Sequence, residues 1–541
     1  MIASFFCLIM VKKWKGERME TTHANGLILE VDESLKKISN WIILAIQHVL
    51  AMFVACITVP LIVFSGYVGA DGTSLAQALI APTIVSAGLG TLIYILLTKM
   101  KAPMFLASSF AYISPMVAAV GLGHQDLYTK TAAGEFVFVG QSANLWALPI
   151  GMAFVGLVYV IVALVIRFAG VGWLNKLLPT IVVGPVIMVI GLGLSTSAIS
   201  NLTSASGNSQ SYNLLAVLSG IVAMFVTAVC AHYGKKTVAL IPFVIGMGAG
   251  YLTAMIFTLI GYYGCGSEYC HIIDFSPLVN LFTKVDAATG ERVANVTIQS
   301  FLDLPSFLFL PKNWNYAASD LYMLDGTQYV AATNPFSASQ IGTIALLFIP
   351  VSFVTICEHI GDHKNMSGLL QRDLLEEPGL TNTLMGDGIA TAVSGLFCGA
   401  ANTTYGENVA VVGVTKIASV KVIMLACAFS ILLGFLAPIM ALTQTIPTCV
   451  TGGVSLLLYG FIAASGVKMM INEHIDMGKT KNIFVASVIL VAGIGGLAFK
   501  FVDPDDPLIT ITSTAVAMIL GILMNLILKD KTEDKTEASA E

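Results

Sequence analysis

The 541-residue sequence has few charged residues: Asp, Glu, Lys and Arg together make up 11% of the chain. Apolar residues make up 56%, and the mean hydropathy is +0.84. Apolar runs long enough to cross a lipid bilayer recur along almost the whole sequence, so we predict an integral membrane protein. The basic residues form no patch interleaved with aromatic residues, which argues against nucleic acid as a partner.

Sequence motifs for metal binding and catalysis are also missing. The nine cysteines lack the spacing typical of zinc or iron–sulfur ligands, so we expect no metal and no other cofactor. Cys265 and Cys270 share one predicted outer loop, where a disulfide and two free thiols both fit the sequence. We find no nucleophile with a base partner and no glycine-rich phosphate loop, and therefore predict that the protein is not an enzyme.

Hydropathy predicts an all-α membrane protein with fourteen spans. The spans are residues 41–66, 75–98, 103–122, 144–167, 178–196, 213–233, 238–262, 340–363, 383–400, 404–421, 422–443, 448–467, 482–499 and 507–528. With a cytoplasmic N-terminus, 22 of the 27 Lys and Arg residues fall in inner segments. Basic residues favour the cytoplasmic side, so both termini are predicted to be cytoplasmic.

A repeated sequence indicates that the chain has two related halves. Pro179–Val186 opens the fifth span and is identical at five of eight positions to Pro447–Val454, which opens the twelfth. Gln47-His48 in the first span is echoed by Glu358-His359 in the eighth. Seven spans per half would make the second half run in the opposite direction, so we predict a 7+7 inverted repeat. A chance likeness between apolar segments is the competing interpretation.

Two acidic residues, Glu358 and Glu407, lie in stretches apolar enough to enter a bilayer, where an unused carboxylate is costly. Glu358 lies in a continuous apolar run, whereas Glu407 follows residues 399–406, in which Gly and Asn interrupt a helix. Residues 102–108 interrupt the third span in the same way. We predict that spans 3 and 10 are broken helices with short extended stretches, whose N-terminal ends meet near the membrane midplane.

These features together suit a small planar ligand. The two helix ends would supply N–H donors and the two acids would supply acceptors, which fits a nucleobase. A simple anion fits less well, because two carboxylates repel it unless both are protonated. In a purely structural interpretation, Glu407 caps its own helix and Glu358 pairs with a neighbouring histidine. That interpretation accounts for one acid more easily than for two.

The segment from Asn402 to Lys416 resembles the signature of the nucleobase/ascorbate transporter family, Q/E-N-x-G-x-x-x-x-T followed by K, R or G. Residues 47–48, 108–111, 358–361 and 372–380 extend the resemblance over most of the membrane segments, and it is greatest to bacterial uracil permeases. The resemblance implies proton-coupled uptake of uracil by an elevator-like alternating-access mechanism. Uptake of xanthine or urate, and less readily anion exchange, are the alternatives.

The resemblance also implies a division into domains. We expect a cytoplasmic N-terminal segment (1–40), a core domain (41–168 and 339–443), a gate domain (175–262 and 444–528), an extracytoplasmic loop (263–338) and a cytoplasmic tail (529–541). The gate helices are the expected contact of a homodimer in the bacterial cytoplasmic membrane.

Individual roles follow from the same resemblance. The expected substrate-binding residues are Glu358 and Glu407, the backbone N–H groups of Phe110 and Gly406, and the ring of Tyr405. Glu358, His359 and Asp362 are expected to couple the proton, and His48 is expected to hydrogen-bond to Asn408.

The sequence departs from the family at two positions. Ala410 replaces a signature glycine, and Asp362 stands where uracil permeases often have His and where xanthine and urate members have Asp.

Overall fold

The computed structural model describes residues 27–528 apart from 35–37, 132, 205–211, 236–237, 239–240, 286–290, 308–313 and 502–508. The predicted cytoplasmic tail and the first 26 residues therefore lie outside the described residues. So does the side chain of Cys265, on which the expected choice between a disulfide and free thiols depends.

The described chain is mostly helical. In chain order the α-helices are α1 (Ile38–Val63), α2 (Leu75–Ala78), α3 (Ile80–Leu97), α4 (Ile113–Val120), α5 (Ala147–Ala169), α6 (Gly172–Leu177), α7 (Thr180–Gly193), α8 (Ser195–Thr203), α9 (Leu214–Tyr233), α10 (Pro242–Ile260), α11 (Ser276–Phe282), α12 (Ile341–Leu370), α13 (Leu380–Leu396), α14 (Gly406–Thr415), α15 (Val420–Phe435), α16 (Ala437–Gln444), α17 (Thr448–Asn472), α18 (Thr480–Ile494) and α19 (Ser513–Ile527).

The apolar runs fold as helices because a helix satisfies its own backbone hydrogen bonds, as lipid requires. Eight helical stretches within the described ranges are long and apolar enough to cross a membrane, and four shorter helices are also apolar. Each of the fourteen predicted spans contains a helix, although helix ends differ from the predictions. Span 10 shows why: α14 stops at Thr415 because Lys416 adopts a left-handed backbone conformation with φ 60°.

The helices pack into two groups. The first group contains α1, α3, α4, α5 and α12 to α15, and the second contains α7 to α10 and α17 to α19. Glycines bring the helices of the second group very close together. A Cβ atom on Gly453 of α17 would lie 2.0 Å from the carbonyl oxygen of Gly220 on α9, and a Cβ on Gly466 would lie 2.4 Å from that of Gly184 on α7.

The strands are an addition to the predicted all-α fold. They are β1 (Tyr67–Val68), β2 (Leu106–Ser108), β3 (Asp126–Lys130), β4 (Phe136–Ser142), β5 (Thr283–Val285), β6 (Arg292–Ala294), β7 (Tyr322–Asp325), β8 (Gln328–Ala331), β9 (Asn402–Thr404), β10 (Phe499–Phe501) and β11 (Ile509–Ile511). Only the stretches that contain β2 and β9 were expected to be extended.

Five strands form one sheet in the order β1-β4-β3-β7-β8, which joins the loop before α5 to the long loop before α12. Tyr316, in the long loop, connects that loop to the residues around this sheet. Its hydroxyl donates to the carbonyl oxygen of Val68 over 2.6 Å and accepts the N–H of Ala143 over 3.0 Å. The part of the predicted extracytoplasmic loop around Tyr316 is therefore attached to the first helix group, whereas Ile272 and Ile273 at its start pack against the second.

Candidate functional site

Two buried strands, one from each half of the chain, pair inside the first helix group. β2 and β9 are antiparallel, with Ala107 opposite Thr403, and all their residues are buried. The pairing continues at both ends: the N–H of Ser109 donates to Ala401 over 2.8 Å, and the N–H of Tyr405 donates to Phe105 over 3.1 Å. Since each strand leads into a helix, antiparallel pairing directs the two helices to opposite sides.

Both helices begin without a side-chain cap. After β2 comes one 3-10 turn, Phe110–Tyr112, and then α4; after β9 comes α14, which begins at Gly406. Neither the Ser109 side chain nor the Tyr405 side chain accepts a hydrogen bond from its helix. The first N–H groups of a helix have no intrahelical acceptor, so they can bind a ligand. Gly406 is exposed although the strand before it is buried, so it faces an open space.

Hydroxyl groups from neighbouring helices hold the strand pair in place. Thr91 Oγ1 on α3 accepts the N–H of Leu106 over 2.9 Å, and Thr391 Oγ1 on α13 donates to the carbonyl oxygen of Asn402. The side-chain amide of Asn402 donates to the carbonyl oxygen of Ser86 on α3 over 2.8 Å. These three supports were not predicted from the sequence.

The structure brings Glu358 and Glu407 together. Glu358 lies on α12, an unbroken helix that packs against β9, α14 and the turn at Phe110. Glu407 is the second residue of α14. Both side chains are half-buried, and the two carboxyl groups are close enough for their charges to interact. Two acceptors therefore lie close together at the start of α14.

A third carboxyl group joins them. Asp362 is four residues after Glu358 on α12 and is half-buried. A Cβ atom on Gly406 would lie 3.3 Å from Asp362 Oδ1, and the Asp362 charge interacts with those of Glu358 and Glu407. Acidic groups are favoured beside a helix N-terminus. Asp362 therefore lies at the same helix start as the predicted ligand groups.

His359 lies apart from this pocket. Its ring is fully buried, and Nδ1 lies 2.7 Å from Oδ2 of Asp387, a fully buried residue of α13. The rings of His359 and His363 stack with centroids 4.0 Å apart. His363 Nδ1 lies 2.7 Å from the carbonyl oxygen of His359, which can only accept, so Nδ1 carries the hydrogen. In the neutral ring, Nε2 then accepts from the Tyr94 hydroxyl at 2.6 Å.

Asp387 was missed by the sequence reasoning, although a signal was present. It is a further acid within a predicted span, and the argument that singled out Glu358 and Glu407 applies to it equally. The role of His359 in proton coupling stays a prediction.

His48 on α1 and Asn408 on α14 are buried and close enough to interact. Within the described residues, however, neither polar atom of the Asn408 side chain nor Nδ1 of His48 has a partner with hydrogen-bond geometry. Their expected hydrogen bond therefore stays a prediction.

Phe110 marks the boundary between the two helix groups. Its ring lies edge-on to Tyr459 of α17, with centroids 6.1 Å apart. A cavity beside it is lined by Ser114 of the first group and by Ile190, Leu194 and Thr514 of the second. Tyr405 is buried directly before α14. The site thus lies where the two groups face each other.

Long apolar helices, together with two short helices that start from a buried strand pair beside clustered carboxyl groups, are typical of a multi-pass membrane transporter. The chain belongs to the family described as the Permease family, whose sequence profile matches residues 39–500. The protein is therefore a transporter and not an enzyme, and the family resemblance predicted from the sequence is confirmed.

Two relatives match almost end to end. The uracil permease of Bacillus caldolyticus is 37% identical over 507 residues, which cover 93% of this chain and 95% of the relative. The uracil permease of Bacillus subtilis (strain 168) is 34% identical over 502 residues, with 92% and 95% covered. Among solved structures, the murine Slc26a9 anion transporter in the inward-facing state has a TM-score of 0.55 at 9% identity. That match covers 96% of this chain and 74% of the transporter, and it shows a shared fold.

Proposed function

We propose that the protein takes up uracil across the bacterial cytoplasmic membrane together with a proton. The observation that carries this proposal is the pairing of β2 with β9, which sets two uncapped helix starts beside Glu358 and Glu407. Uracil presents two carbonyl groups and two N–H groups in one plane, so it needs both donors and acceptors. The relatives named uracil permease support the same substrate.

In the proposed complex, Glu358 and Glu407 accept hydrogen bonds from the N–H groups of the base. The backbone N–H groups of Phe110 and Gly406 donate to its carbonyl groups, and the ring of Tyr405 flanks it. The exposure of Gly406 supports this arrangement, because a ligand can approach its backbone closely. His48 and Asn408 hold α1 against α14.

The proposed proton site is Glu358 together with Asp362. Three carboxyl groups at one pocket repel each other when all are ionised, and a bound proton relieves part of that repulsion. Glu358 therefore takes up the proton from outside, and uracil binds in that state. His359 assists by fixing the orientation of this part of α12 through its contact with Asp387.

We infer that transport proceeds by elevator-like movement of a core domain against a gate domain. The two helix groups support this division, since their members follow the predicted core and gate segments. The eight long and four shorter apolar helices, with α13 and α14, provide fourteen segments for a 7+7 inverted repeat with both termini cytoplasmic. Exposed apolar residues on α9, such as Phe225, suit a lipid-facing or dimer-forming surface of the gate.

Substrate binding tests the recognition part of the proposal. We expect Glu407→Ala to abolish saturable uracil binding by purified protein, because the base loses a charged acceptor. Glu473→Ala is the matched control: Glu473 is an exposed carboxylate, and its removal should leave the affinity unchanged. A normal affinity of Glu407→Ala for uracil would show that the substrate binds elsewhere in the protein.

Transport in proteoliposomes tests the coupling. Uptake by the wild-type protein should require an inward proton gradient, and Glu358→Gln should lose that dependence because its side chain cannot exchange a proton. The exposed Glu376→Gln should retain it. Wild-type uptake that persists after the gradient has been collapsed would contradict symport.

A purine substrate, xanthine or urate, is the second candidate. The specific observation in its favour is Asp362, which lies against Gly406 and is the residue type found there in purine-transporting members. Competition of labelled uracil by excess xanthine or urate decides between them. An anion substrate is disfavoured by the three clustered carboxyl groups.

A further inference from the structure

Residues 27–34, which we call the N-terminal strap, run along the chain that joins α14 to α15. The N–H of Ile28 donates to the carbonyl oxygen of Lys416 over 2.7 Å, and the N–H of Ala418 donates back to Leu29 over 3.0 Å. Leu29 and Ile417 form a parallel bridge. Three further bonds run from the N–H of Val420 to Val31 (3.0 Å), from Ser419 Oγ to the carbonyl of Glu33 (2.7 Å) and from Lys421 Nζ to Ser34 Oγ (2.7 Å).

Apolar contacts accompany these bonds. The Leu29 side chain is buried in a small cluster with Leu44 of α1, Ile417 and Val422 of α15. Leu27 is 2% exposed and belongs to the main hydrophobic core, to which both helix groups contribute. The strap is therefore built into the first group along its length and connects α1 with the joint between α14 and α15.

The strap contacts the chain between α14 and α15, and α14 carries part of the candidate site at its other end. α14 has ten residues, a length of about 15 Å, and a helix so short is not stable by itself. Its first residues, Gly406 and Glu407, form the candidate site, and its last turn ends at Lys416 in a left-handed conformation. The β2–β9 pair holds the first end of α14, and the strap holds the second.

We propose that the N-terminal strap is a positioning element of the substrate site: by fixing the C-terminal end of α14, it sets the orientation of Gly406 and Glu407 and thereby the affinity for substrate. The effect on affinity depends on the proposed function, whereas the effect on α14 does not. The strap does not touch the substrate. It makes the N-terminal segment, which sequence places in the cytoplasm, part of the support of the binding site.

The test uses the full chain in nanodiscs and two measurements. Hydrogen exchange of residues 406–415 reports on α14 without any substrate, and equilibrium binding of labelled uracil reports on the site. Leu29→Asp places a charge in the apolar cluster and should release the strap. Leu29→Met keeps the packing, and Ile38→Asp adds the same charge at the first residue of α1, which is 79% exposed.

In Leu29→Asp we expect faster exchange in residues 406–415, unchanged exchange in α17, and a Kd for uracil raised by about tenfold or more at unchanged site number, since small displacements of binding groups are costly. Leu29→Met and Ile38→Asp should match the wild type. Leu29→Asp with wild-type exchange in α14 would overturn the proposal, and a loss of site number at unchanged Kd would reduce the strap to a folding element.

A milder variant covers the case in which Leu29→Asp does not fold. Ser419→Ala removes one strap hydrogen bond without burying a charge, and it should still raise exchange in residues 406–415. Unchanged hydrogen exchange of residues 406–415 in Ser419→Ala would contradict the proposal that the strap positions α14. Absence of uracil binding by the wild type would contradict the proposed function and leave the exchange result standing as the test of the strap.

Discussion

At the scale of single residues, the side chains of α12 divide between two environments. Glu358 and Asp362 are half-buried near the start of α14, whereas His359 and His363 are fully buried on another side of the same helix. The His359–Asp387 contact is enclosed by protein, with the ring of Tyr159 edge-on to His359 at a centroid distance of 6.4 Å. Polar groups enclosed in this way stabilise a fold only while they keep their partners.

We therefore expect Asp387→Ala to lower the free energy of unfolding by about 3 kcal/mol, because His359 would lose its buried partner. Chemical unfolding of the detergent-solubilised protein measures this change. Glu376→Ala, which removes an exposed carboxylate from the loop before α13, should change the free energy by less than about 0.5 kcal/mol. Equal stability of both variants would mean that the His359–Asp387 contact contributes little.

At the scale of elements, the two strands β2 and β9 are too short to be stable alone, and threonine side chains supply part of their hydrogen bonding. Thr91 is fully buried and serves Leu106 in two ways: it accepts the N–H over 2.9 Å and approaches the carbonyl oxygen at 3.2 Å. The strand therefore depends on a side chain of α3 as well as on its partner strand.

Thr91→Val keeps the shape of the side chain and removes the hydroxyl, which leaves the buried N–H of Leu106 without its acceptor. We expect a loss of about 1–3 kcal/mol in unfolding free energy together with weaker uracil binding. Thr98→Val is a matched control at the C-cap of the same helix, because the buried Thr98 hydroxyl bonds, within the described residues, to the carbonyl oxygens of Tyr94 and Ile95 on α3. If uracil binding were weakened equally in both variants, the support of β2 by Thr91 would have no specific effect on substrate binding.

The helices and strands also show which parts of the fold can be predicted from the sequence. Interruption of an apolar run by Gly, Asn and Pro correctly predicted the extended stretches in spans 3 and 10. The signal is not general, because α12 stays helical through Pro350. The pairing of β2 with β9 was not predicted, because hydrogen bonds between distant segments leave no local pattern. The loop sheet was missed because its strands are short and contain few buried residues, so a hydropathy window gives them no signal; in β3 only Leu127 is buried.

For the site, burial of an acid in an apolar segment was a sufficient signal for Glu358 and Glu407, and it would have been for Asp387. The different directions of Asp362 and His363 could not be assigned from their order in the sequence. Which of the two faces the pocket depends on how α12 is rotated against α13 and α14, and that rotation is set by tertiary packing.

At the scale of the whole molecule, glycines allow close backbone approach within both helix groups; in the first, a Cβ atom on Gly156 of α5 would lie 2.8 Å from the carbonyl oxygen of Gly388 on α13. Glycines in the second group put backbones in direct contact, as between Gly453 and Gly220 and between Gly466 and Gly184. Close backbone contact leaves these helices little freedom to deform.

Gly453→Ala should therefore be strongly destabilising, by about 2 kcal/mol or more, because its Cβ would lie 2.0 Å from the carbonyl oxygen of Gly220. Gly460→Ala on the same helix is the control, since no atom lies within 4 Å of its added Cβ. Thermal unfolding of both variants gives the comparison. A Gly453→Ala protein as stable as Gly460→Ala would show that α9 and α17 can move apart without cost.

The pairing of β2 with β9 has a consequence for biogenesis. The ribosome completes β2 long before β9 exists, so during synthesis the edge of β2 lacks the backbone partner that it has in the finished protein. Unpaired peptide groups are costly in a nonpolar environment. Until β9 has been synthesised, the peptide groups of β2 must therefore contact water, the insertion machinery or another part of the chain. Assembly of the transport pathway is therefore a late event of membrane insertion, and a nascent chain released before residue 402 would carry an incomplete pocket.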